Sequence, residues 1–207
     1  MLVLLSKLAL NKRATVTKNK ILDIKEHPEL FNECMLIYVD SFAEWEREDI
    51  NNIAKNIQSN HYKMHANLLN SEVIGFYILD VNTQLEYALL SFLAMKESQR
   101  GKGLGNELCL HCITYFQKEL ACRWLLIEAQ ERQSKLYERL GFKKIMLEYK
   151  VPSLTSQESI NMHLMQINNN DNIDNISLSN IIEDIFTRGY SLNKNDTRIK
   201  EQLLRIG

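Results

Sequence analysis

With 207 residues, of which 45% are hydrophobic, the chain is long enough for one ordinary domain with a real core and a small appendage. The formal net charge of −1 excludes a wholesale electrostatic preference for nucleic acid or an anionic membrane, although a local basic patch is compatible with it. The N-terminal stretch MLVLLSKLAL has neither the basic region nor the cleavage site of a targeting segment, and it is too short to span a bilayer. We expect it to lie on the domain as a strand or helical turn, in a cytoplasmic protein.

The first half of the chain predicts a strand, two helices and a meander of three strands. The stretch TVTKNKILDI, at 15–24, partly alternates between apolar and polar residues and predicts the first strand. Pro28 predicts the start of a helix that runs through Phe42, because proline is favoured where the first helical N–H lacks a partner anyway. Apolar residues at helical spacing from Ile50 predict a second helix. Three strands follow, which we expect to be antiparallel neighbours joined by tight turns: YKMHANLL, VIGFYILDV and YALLSFLAM.

The second half adds two helices and three strands. A helix is predicted from Leu104 to Leu120, followed by a short buried strand, RWLLIEA. A compact helix comes next, and Gly141 closes it in the left-handed conformation. The stretches KKIMLEYKV and INMHLMQI each predict one strand. The predicted fold class is therefore α/β, with a mixed, mostly antiparallel sheet of about seven strands flanked by helices.

A change of composition marks the C-terminal part of the chain. The polar stretch NNNDNIDN predicts a linker, after which an amphipathic helix ends at Gly189 and Thr197 caps a last short helix. Apolar residues at helical spacing define the first of these helices: Leu178, Ile181, Ile182 and Ile185. We therefore divide the chain into a domain at 1–167 and a linker with a helical C-terminal extension at 168–207. The extension either packs on its own domain or serves as a lid or homodimer contact.

The cysteines and histidines show no metal-binding pattern. Cys109 and Cys112 form a CxxC pair, but the pair lies inside a predicted helix and the sequence holds no second close pair. We expect reduced thiols that pack as small buried hydrophobic side chains. The remaining candidates lack the spacing of metal ligands, so no metal is predicted: His61, His65, His111 and His163.

A glycine-rich loop lies between the last strand of the meander and the following helix. The stretch KESQRGKGLGNEL holds three of the chain's seven glycines: Gly101, Gly103 and Gly105. Glycine lets a backbone approach a ligand closely, and the N–H groups of a first helical turn stabilise an anion. The loop therefore predicts a phosphate site, to which Arg100 and Lys102 add cationic side chains.

Two other phosphate-binding loops fit this stretch less well. A P-loop needs serine or threonine after Gly-Lys, whereas Gly103 follows Lys102 here. A dinucleotide-binding Rossmann unit is favoured by the strand before the loop, the helix after it and Glu128 about 20 residues farther on. It is disfavoured by the Gly-x-Gly-x-Gly spacing, by the five residues between strand and first glycine, and by the single strand–helix–strand unit.

The loop and its neighbours resemble the GNAT superfamily of acetyl-CoA-dependent N-acetyltransferases. The family signature, Arg/Gln-x-x-Gly-x-Gly/Ala before the third helix, is similar to the run Arg100-Gly101-Lys102-Gly103-Leu104-Gly105. The stretch LYERLGF resembles a second recurrent segment of the family, and the order of elements agrees over roughly residues 15–167. The resemblance implies acetyl-CoA as co-substrate, with its diphosphate bound by that run and its pantetheine arm by the backbone of Leu93, Ala94 and Met95.

The resemblance also implies how an amine would attack the thioester. A backbone N–H near Leu93 would polarise the thioester carbonyl, and Tyr137, in LYERLGF, would donate a proton to the departing thiolate. The candidates for the general base, acting directly or through water, are Glu128 at the end of the fifth strand and Glu86 just before the fourth.

The segment SFAEWERED lies between the first two helices, where the family builds acceptor contacts, and it resembles an FP-x-x-ER stretch with Ala43 in place of proline. Glu44, Glu46 and Glu48 would form an acidic rim suited to a cationic amine; ordinary solvated acids at a helix start are the alternative. The predicted function is transfer of an acetyl group from acetyl-CoA to a primary amine of a small molecule or peptide in a ternary complex. Two alternatives stay open: a non-catalytic acyl-CoA-binding GNAT-fold module that acts through a protein partner, and a Rossmann-type nucleotide-binding enzyme.

Overall fold

The computed structural model describes residues 17–154, 156, 158–168 and 173–206. The stretch MLVLLSKLAL, the beginning of the first predicted strand and part of the predicted linker lie outside these residues. Within them, no helix combines the length and the apolar character that a membrane crossing requires.

Strands and helices of the described part follow the predicted order. The strands are β1 (Lys18–Ile21), β2 (Tyr62–Leu69), β3 (Glu72–Asn82), β4 (Tyr87–Met95), β5 (Trp124–Ala129), β6 (Lys143–Lys144), β7 (Tyr149–Pro152) and β8 (Ser159–Asn168). The helices are α1 (Pro28–Ser41), α2 (Ile50–Gln58), α3 (Leu104–Glu119), α4 (Glu131–Arg139), α5 (Asn175–Asp184) and α6 (Thr197–Leu203). A 3₁₀ turn lies at Glu44–Glu46, another at Glu97–Gln99, and a π-helical turn, Ile185–Gly189, continues α5.

The strands form a mixed sheet in the order β1-β2-β3-β4-β5-β8-β6, and β7 also pairs with β8. β4 and β5 are parallel neighbours, whereas the other recorded pairs are antiparallel. The predicted fold class and the antiparallel meander are therefore confirmed. The Rossmann alternative is wrong, because that fold requires a doubly wound, mostly parallel sheet.

The stretch KKIMLEYKV is two short strands, β6 and β7, so its prediction as a single strand is wrong. The Leu147 N–H donates to Ile145 O at 2.9 Å, a local turn that takes Leu147 out of the ladder with β8. Met146, at the same turn, is 94% exposed. Apolar residues flank the turn on both sides, so the composition alone predicts one continuous strand.

Successive side chains of β3, β4 and β5 point to opposite faces of the sheet, and helices cover both faces. α1 and α2 cover one face, where Tyr38 packs in a core with Phe76 of β3. α5, the π turn and α6 cover the same face farther along the sheet, where Phe186 packs with Leu126 of β5. α3 and α4 cover the opposite face, with Phe116 at its centre.

The C-terminal extension packs on the sheet of its own chain, and its first predicted helix is confirmed as α5. α5 passes into the π turn at Ile185 before the helical segment ends at Gly189. The predicted cap of the last helix is wrong by one residue, because Thr197 is the first residue of α6 and Asp196 precedes it as the cap. The Asp196 carboxylate accepts the Arg198 N–H at 3.0 Å, as aspartate commonly does at this position. The domain division at residue 167 stays a prediction.

β4 and β5 pair over only part of their lengths. Their parallel register ends at Leu89 and Leu126, and no pairing between these two fully described strands follows. β4 carries a bulge at Ser91, since Leu90 and Phe92 face consecutive residues of β3. A bulge bends its strand and increases the local twist, so β4 diverges from β5 beyond this point and leaves an opening in the sheet.

Candidate active site

A pocket of about 330 Å³ opens where β4 and β5 diverge. β4 lines it from Leu89 to Leu93 and β5 from Ile127 to Ala129. α4, the segment between α1 and α2, β7 and the C-terminal extension contribute the other walls. The gap in the sheet therefore brings together segments that are distant along the chain.

The glycine-rich loop ends at the N-terminus of α3. Gly101 and Gly103 have φ angles of +75° and +85°, which favour glycine, and a Cβ on either would find no atom within 4 Å. Among the described residues, no recorded acceptor takes a backbone hydrogen bond from the N–H groups of residues 101–105, whereas those of Asn106 and Glu107 donate to Gly103 O. The loop thus offers open N–H groups at the positive end of a helix, which is what phosphate binding requires.

The two cationic side chains of the loop have different surroundings. Arg100 Nε donates to Met95 O at 3.0 Å and its Nη2 donates to Ser41 Oγ at 2.9 Å, so the guanidinium ties the end of β4 to α1. Lys102 Nζ donates to Gln99 Oε1 at 2.9 Å on the exposed surface. Arg100 therefore anchors the loop, and an anion contact by either side chain stays a prediction.

The end of β4 leads from the pocket to this loop. Leu93 lines the pocket, whereas Ala94 and Met95 are buried outside its lining. Gly75 of β3 pairs with Met95, and a Cβ there would come within 2.5 Å of Met95 Sδ and 2.7 Å of Ala94 O. Glycine at this position lets β3 approach the end of β4 closely.

Tyr137 of α4 lines the pocket from the face that α3 and α4 cover. Its ring packs edge-on against Phe142, with the centroids 5.6 Å apart. Gly141, at φ +100°, turns the chain back so that the Phe142 N–H donates to Tyr137 O at 3.0 Å. Burial raises the pKa of the Tyr137 hydroxyl, so this group is protonated at neutral pH and can donate.

Glu128 of β5 lines the pocket on the opposite face, which the C-terminal extension covers. Its Oε1 accepts the hydroxyl of Tyr149 at 2.5 Å, and its Oε2 accepts the hydroxyl of Tyr190 at 2.6 Å. Burial raises the pKa of Glu128, and both hydrogen bonds oppose that rise because they favour the charged carboxylate. Sequence reasoning missed both tyrosines, since they lie 21 and 62 residues away from Glu128 with no local pattern to link them.

Two of the three glutamates predicted to contact the amine substrate line the pocket. Glu46 and Glu48 line it, whereas Glu44 is exposed outside the lining. Glu48 accepts the Tyr62 hydroxyl at 2.9 Å and the Asn56 Nδ2 at 3.3 Å. Burial raises the pKa of Glu48 to about 7. Glu46 and Glu48 thus bring carboxyl groups to the pocket, and their contact with a cationic acceptor stays a prediction.

Glu86 lies at the other end of β4 and does not line the pocket. Its backbone, at φ +54°, accepts the N–H groups of Arg123 at 2.7 Å and Trp124 at 3.2 Å. Its carboxylate Oε2 lies 3.7 Å from Arg123 Nη1. The structure therefore brings Glu128, and not Glu86, together with Tyr137 and Leu93.

The cysteines are buried and form no disulfide, which confirms their predicted role as small core residues. Within the described ranges, no group of three or more histidine, cysteine, aspartate or glutamate side chains is arranged to hold a metal ion.

Comparisons with known proteins identify one family and several structures of similar fold. The sequence model of the acetyltransferase (GNAT) family matches residues 25–142. A Bacteroides thetaiotaomicron protein described as a GNAT-family acetyltransferase is 16% identical, with a TM-score of 0.71 over 85% of this chain and 99% of that one. The ribosomal-protein-S18-alanine N-acetyltransferase of Escherichia coli is 21% identical, with a TM-score of 0.57 over 77% of this chain and 98% of that one.

A third solved structure, spermidine N-acetyltransferase from Vibrio cholerae in complex with CoA and spermine, is 16% identical, with a TM-score of 0.57 over 73% of this chain and 95% of that one. At these identities the three structures show a shared fold. No curated protein sequence matches significantly.

Proposed function

The chain belongs to the acetyltransferase (GNAT) family, and from that premise we propose that it transfers an acetyl group from acetyl-CoA to a primary amine in a ternary complex. The observation that carries the proposal is the opening between β4 and β5, where a carboxyl-lined pocket leads along β4 to the N-terminus of α3. Such an opening accommodates both substrates of a direct transfer at once. The proposed donor and acceptor follow from the groups at each end.

Acetyl-CoA is proposed to bind along the end of β4. The open N–H groups of residues 101–105 would take the diphosphate, with Lys102 as an additional cation. Arg100 holds the loop against β4 and α1. The backbone of Leu93, Ala94 and Met95 would take the pantetheine arm, and the apolar side chains there do not interfere with main-chain bonding.

The chemistry is proposed to use one group from each face of the sheet. The Glu128 carboxylate accepts a proton from the amine nitrogen, which attacks the thioester carbon and forms the C–N bond. A backbone N–H at Leu93 stabilises the oxyanion of the tetrahedral intermediate. The C–S bond then breaks, and the CoA thiolate takes a proton from the Tyr137 hydroxyl. The nitrogen, which entered as an ammonium group and gave one proton to Glu128, returns its second excess proton to the Tyr137 oxygen and becomes the neutral amide.

The acceptor is proposed to be a cationic amine on a small molecule or a peptide N-terminus. Glu46 and Glu48 lie in the pocket with Glu128, and three carboxyl groups disfavour an acceptor that carries its own carboxylate near the amine. We propose neither a nucleic acid nor a membrane as partner, and we propose a cytoplasmic protein that forms a homodimer.

Tyr137→Phe tests the acid role. Removal of a general acid is expected to lower kcat about 10²–10⁴-fold, with the KM for acetyl-CoA little changed, because phenylalanine preserves the ring packing. Thiol release is measured across a panel of amines. Tyr115→Phe is the matched control, since Tyr115 packs against His65 of β2 and does not line the pocket. Unchanged thiol release in Tyr137→Phe would refute the acid role.

Ligand-induced stabilisation tests the donor separately from catalysis. Acetyl-CoA at about 100 times its dissociation constant should add about 2.7 kcal/mol to the free energy of unfolding. NAD at the same concentration should add nothing. Stabilisation by acetyl-CoA without thiol release on any amine would favour the non-catalytic acyl-CoA-binding module over the enzyme.

A further inference from the structure

The C-terminal extension supplies a wall of the pocket as well as covering the core. Ile185, Gly189 and Tyr190 line the pocket. The Tyr190 ring packs against Phe186, with the centroids 5.7 Å apart, and Phe186 is fully buried. The hydroxyl at the other end of the ring donates to Glu128 Oε2 at 2.6 Å. A packed ring with its hydroxyl on a pocket carboxylate is a rigid donor.

The π-helical turn sets the direction of this side chain. The Tyr190 N–H donates to Ile185 O at 3.2 Å, five residues back, where an α-helix would bond four residues back. The extra residue in the turn changes the angle at which Tyr190 leaves the helix. Single π turns of this kind are frequent at functional sites.

Arg188 fastens the same turn to the sheet. Its Nη1 donates to Asp80 Oδ1 at 2.7 Å and its Nε donates to Asp184 Oδ2 at 3.1 Å. Its Nη2 donates to the Tyr87 hydroxyl at 3.2 Å, and that hydroxyl donates to Asp184 at 2.6 Å. Arg188, two residues before Tyr190, therefore links the π turn to β3 and β4.

We infer that Tyr190 is a positioning residue for the proposed general base: its hydroxyl holds Glu128 toward the acceptor and keeps that carboxylate charged. The inference rests on the proposed function, because it acts through Glu128. Tyr149 binds Oε1 and Tyr190 binds Oε2, so each oxygen keeps a lone pair for the amine proton. The base of the reaction is thus completed by a residue outside the segment that the family model matches.

The surroundings of Glu128 explain why two donors are needed. Glu128 contacts two titratable groups, Tyr149 of β7 and Tyr190 of the extension. The other titratable groups of the pocket lining are Glu46, Glu48, Tyr62 and Tyr137; Glu46 lies near Tyr190, and Tyr87 lies near Tyr149. Burial disfavours the charged form of Glu128. The hydroxyls of Tyr149 and Tyr190 are the groups that stabilise the charged form of Glu128.

Tyr190→Phe removes the hydroxyl and keeps the ring that packs on Phe186. The Glu128 carboxyl is titrated by carbon NMR in the full chain with labelled glutamate and no substrate, and its signal is assigned by its loss in Glu128→Gln. We expect the acid dissociation constant of Glu128 to fall about tenfold, since the charged form loses a charge-assisted hydrogen bond. Tyr149→Phe should shift it in the same direction, and Tyr115→Phe should leave it unchanged. An unchanged titration in Tyr190→Phe overturns the inference.

Kinetics provide the second readout. The acidic limb of kcat/KM for the amine should move to higher pH by the same factor in Tyr190→Phe, with the KM for acetyl-CoA unchanged. An equal loss of activity at every pH would assign Tyr190 to structure alone and overturn the inference. Full activity of Glu128→Gln at every pH would overturn both the base role of Glu128 and the inference about Tyr190. Acetyl transfer itself would still be supported in that case, because thiol release measures it independently of the base.

Discussion

Replacing Arg188 with methionine removes the cation of a largely buried ion pair while keeping most of the aliphatic length of the side chain. The Asp80 side chain is 3% exposed and the Arg188 side chain 29% exposed, with Nη1 and Oδ1 2.7 Å apart. Burial raises the pKa of Asp80 to about 6, and Arg188 is the group that opposes this rise. In the variant, Asp80 keeps its burial and loses that opposition.

The expected loss of stability follows from this geometry. Removing one partner of a buried ion pair costs about 3–5 kcal/mol, and the partial exposure of Arg188 places the expected value near 3 kcal/mol. For a domain of this size that loss lowers Tm by about 6–12 °C. The folded state with a raised Asp80 pKa binds more protons than the unfolded state above the ordinary aspartate pKa. The destabilisation caused by Arg188→Met therefore grows as pH rises through the pKa of Asp80 in the folded state. It shrinks at low pH, where Asp80 is protonated.

Urea unfolding at about pH 5 and about pH 8 measures this difference. Arg188→Met should be destabilised more at the higher pH, because Asp80 is charged and uncompensated there. The double variant Asp80→Asn with Arg188→Met should recover part of the loss, since Asp80 is then no longer an unpaired buried charge, whereas the less buried Asp184 still lacks its cation. A loss below about 1 kcal/mol at the higher pH, or an equal loss at both, would refute this account of the ion pair.

Three further perturbations test other parts of the structure. Gly75→Ala should cost about 2–3 kcal/mol in thermal unfolding, because its Cβ meets the backbone oxygen of Ala94, which cannot move without breaking the ladder; a wild-type Tm would contradict the close approach. Gly103→Ala should lower the free energy of unfolding by about 1–2 kcal/mol, because the backbone at this position is left-handed. It should also weaken acetyl-CoA binding measured by calorimetry, and unaltered binding would count against the loop as the diphosphate site. Glu48→Gln should raise the free energy of unfolding by about 1–3 kcal/mol at high pH and leave it unchanged near pH 4. The reason is that the pKa of Glu48 is raised in the folded state, so the wild-type protein loses stability as pH rises toward 7. A difference that does not depend on pH would contradict the burial of this carboxyl.

Local sequence patterns were sufficient for most helices and strands. Pro28 marks the first residue of α1, and the helical spacing from Ile50 marks α2, because both signals depend only on neighbouring backbone groups. The exception, KKIMLEYKV, contains a turn at Leu147 that composition does not reveal. Turns within apolar stretches depend on which neighbouring strand is available for pairing, and that information is not local.

The candidate site was predicted in part. Tyr137 and Leu93 come from the family resemblance and Glu128 from its place at the end of the fifth strand, and all three line one pocket in the structure. Glu86, the other candidate base, lies at the far end of its strand. Their roles stay predictions until the variants are measured. Tyr190 had no sequence signal, because a tyrosine after a helix is equally compatible with an exposed ring.

The amino-acid sequence by itself determined the features that depend on backbone chemistry and short spacing: the glycines with positive φ at the start of α3, the amphipathic helices and the alternating strands. The tertiary structure decided which distant side chains meet. The bulge at Ser91 and the short β4–β5 register open the pocket, and the docking of the extension places Tyr190 on Glu128. The physical reason is that strand register and helix docking are set by burial summed over the whole core, so the contacts they create between residues 62 positions apart leave no local trace.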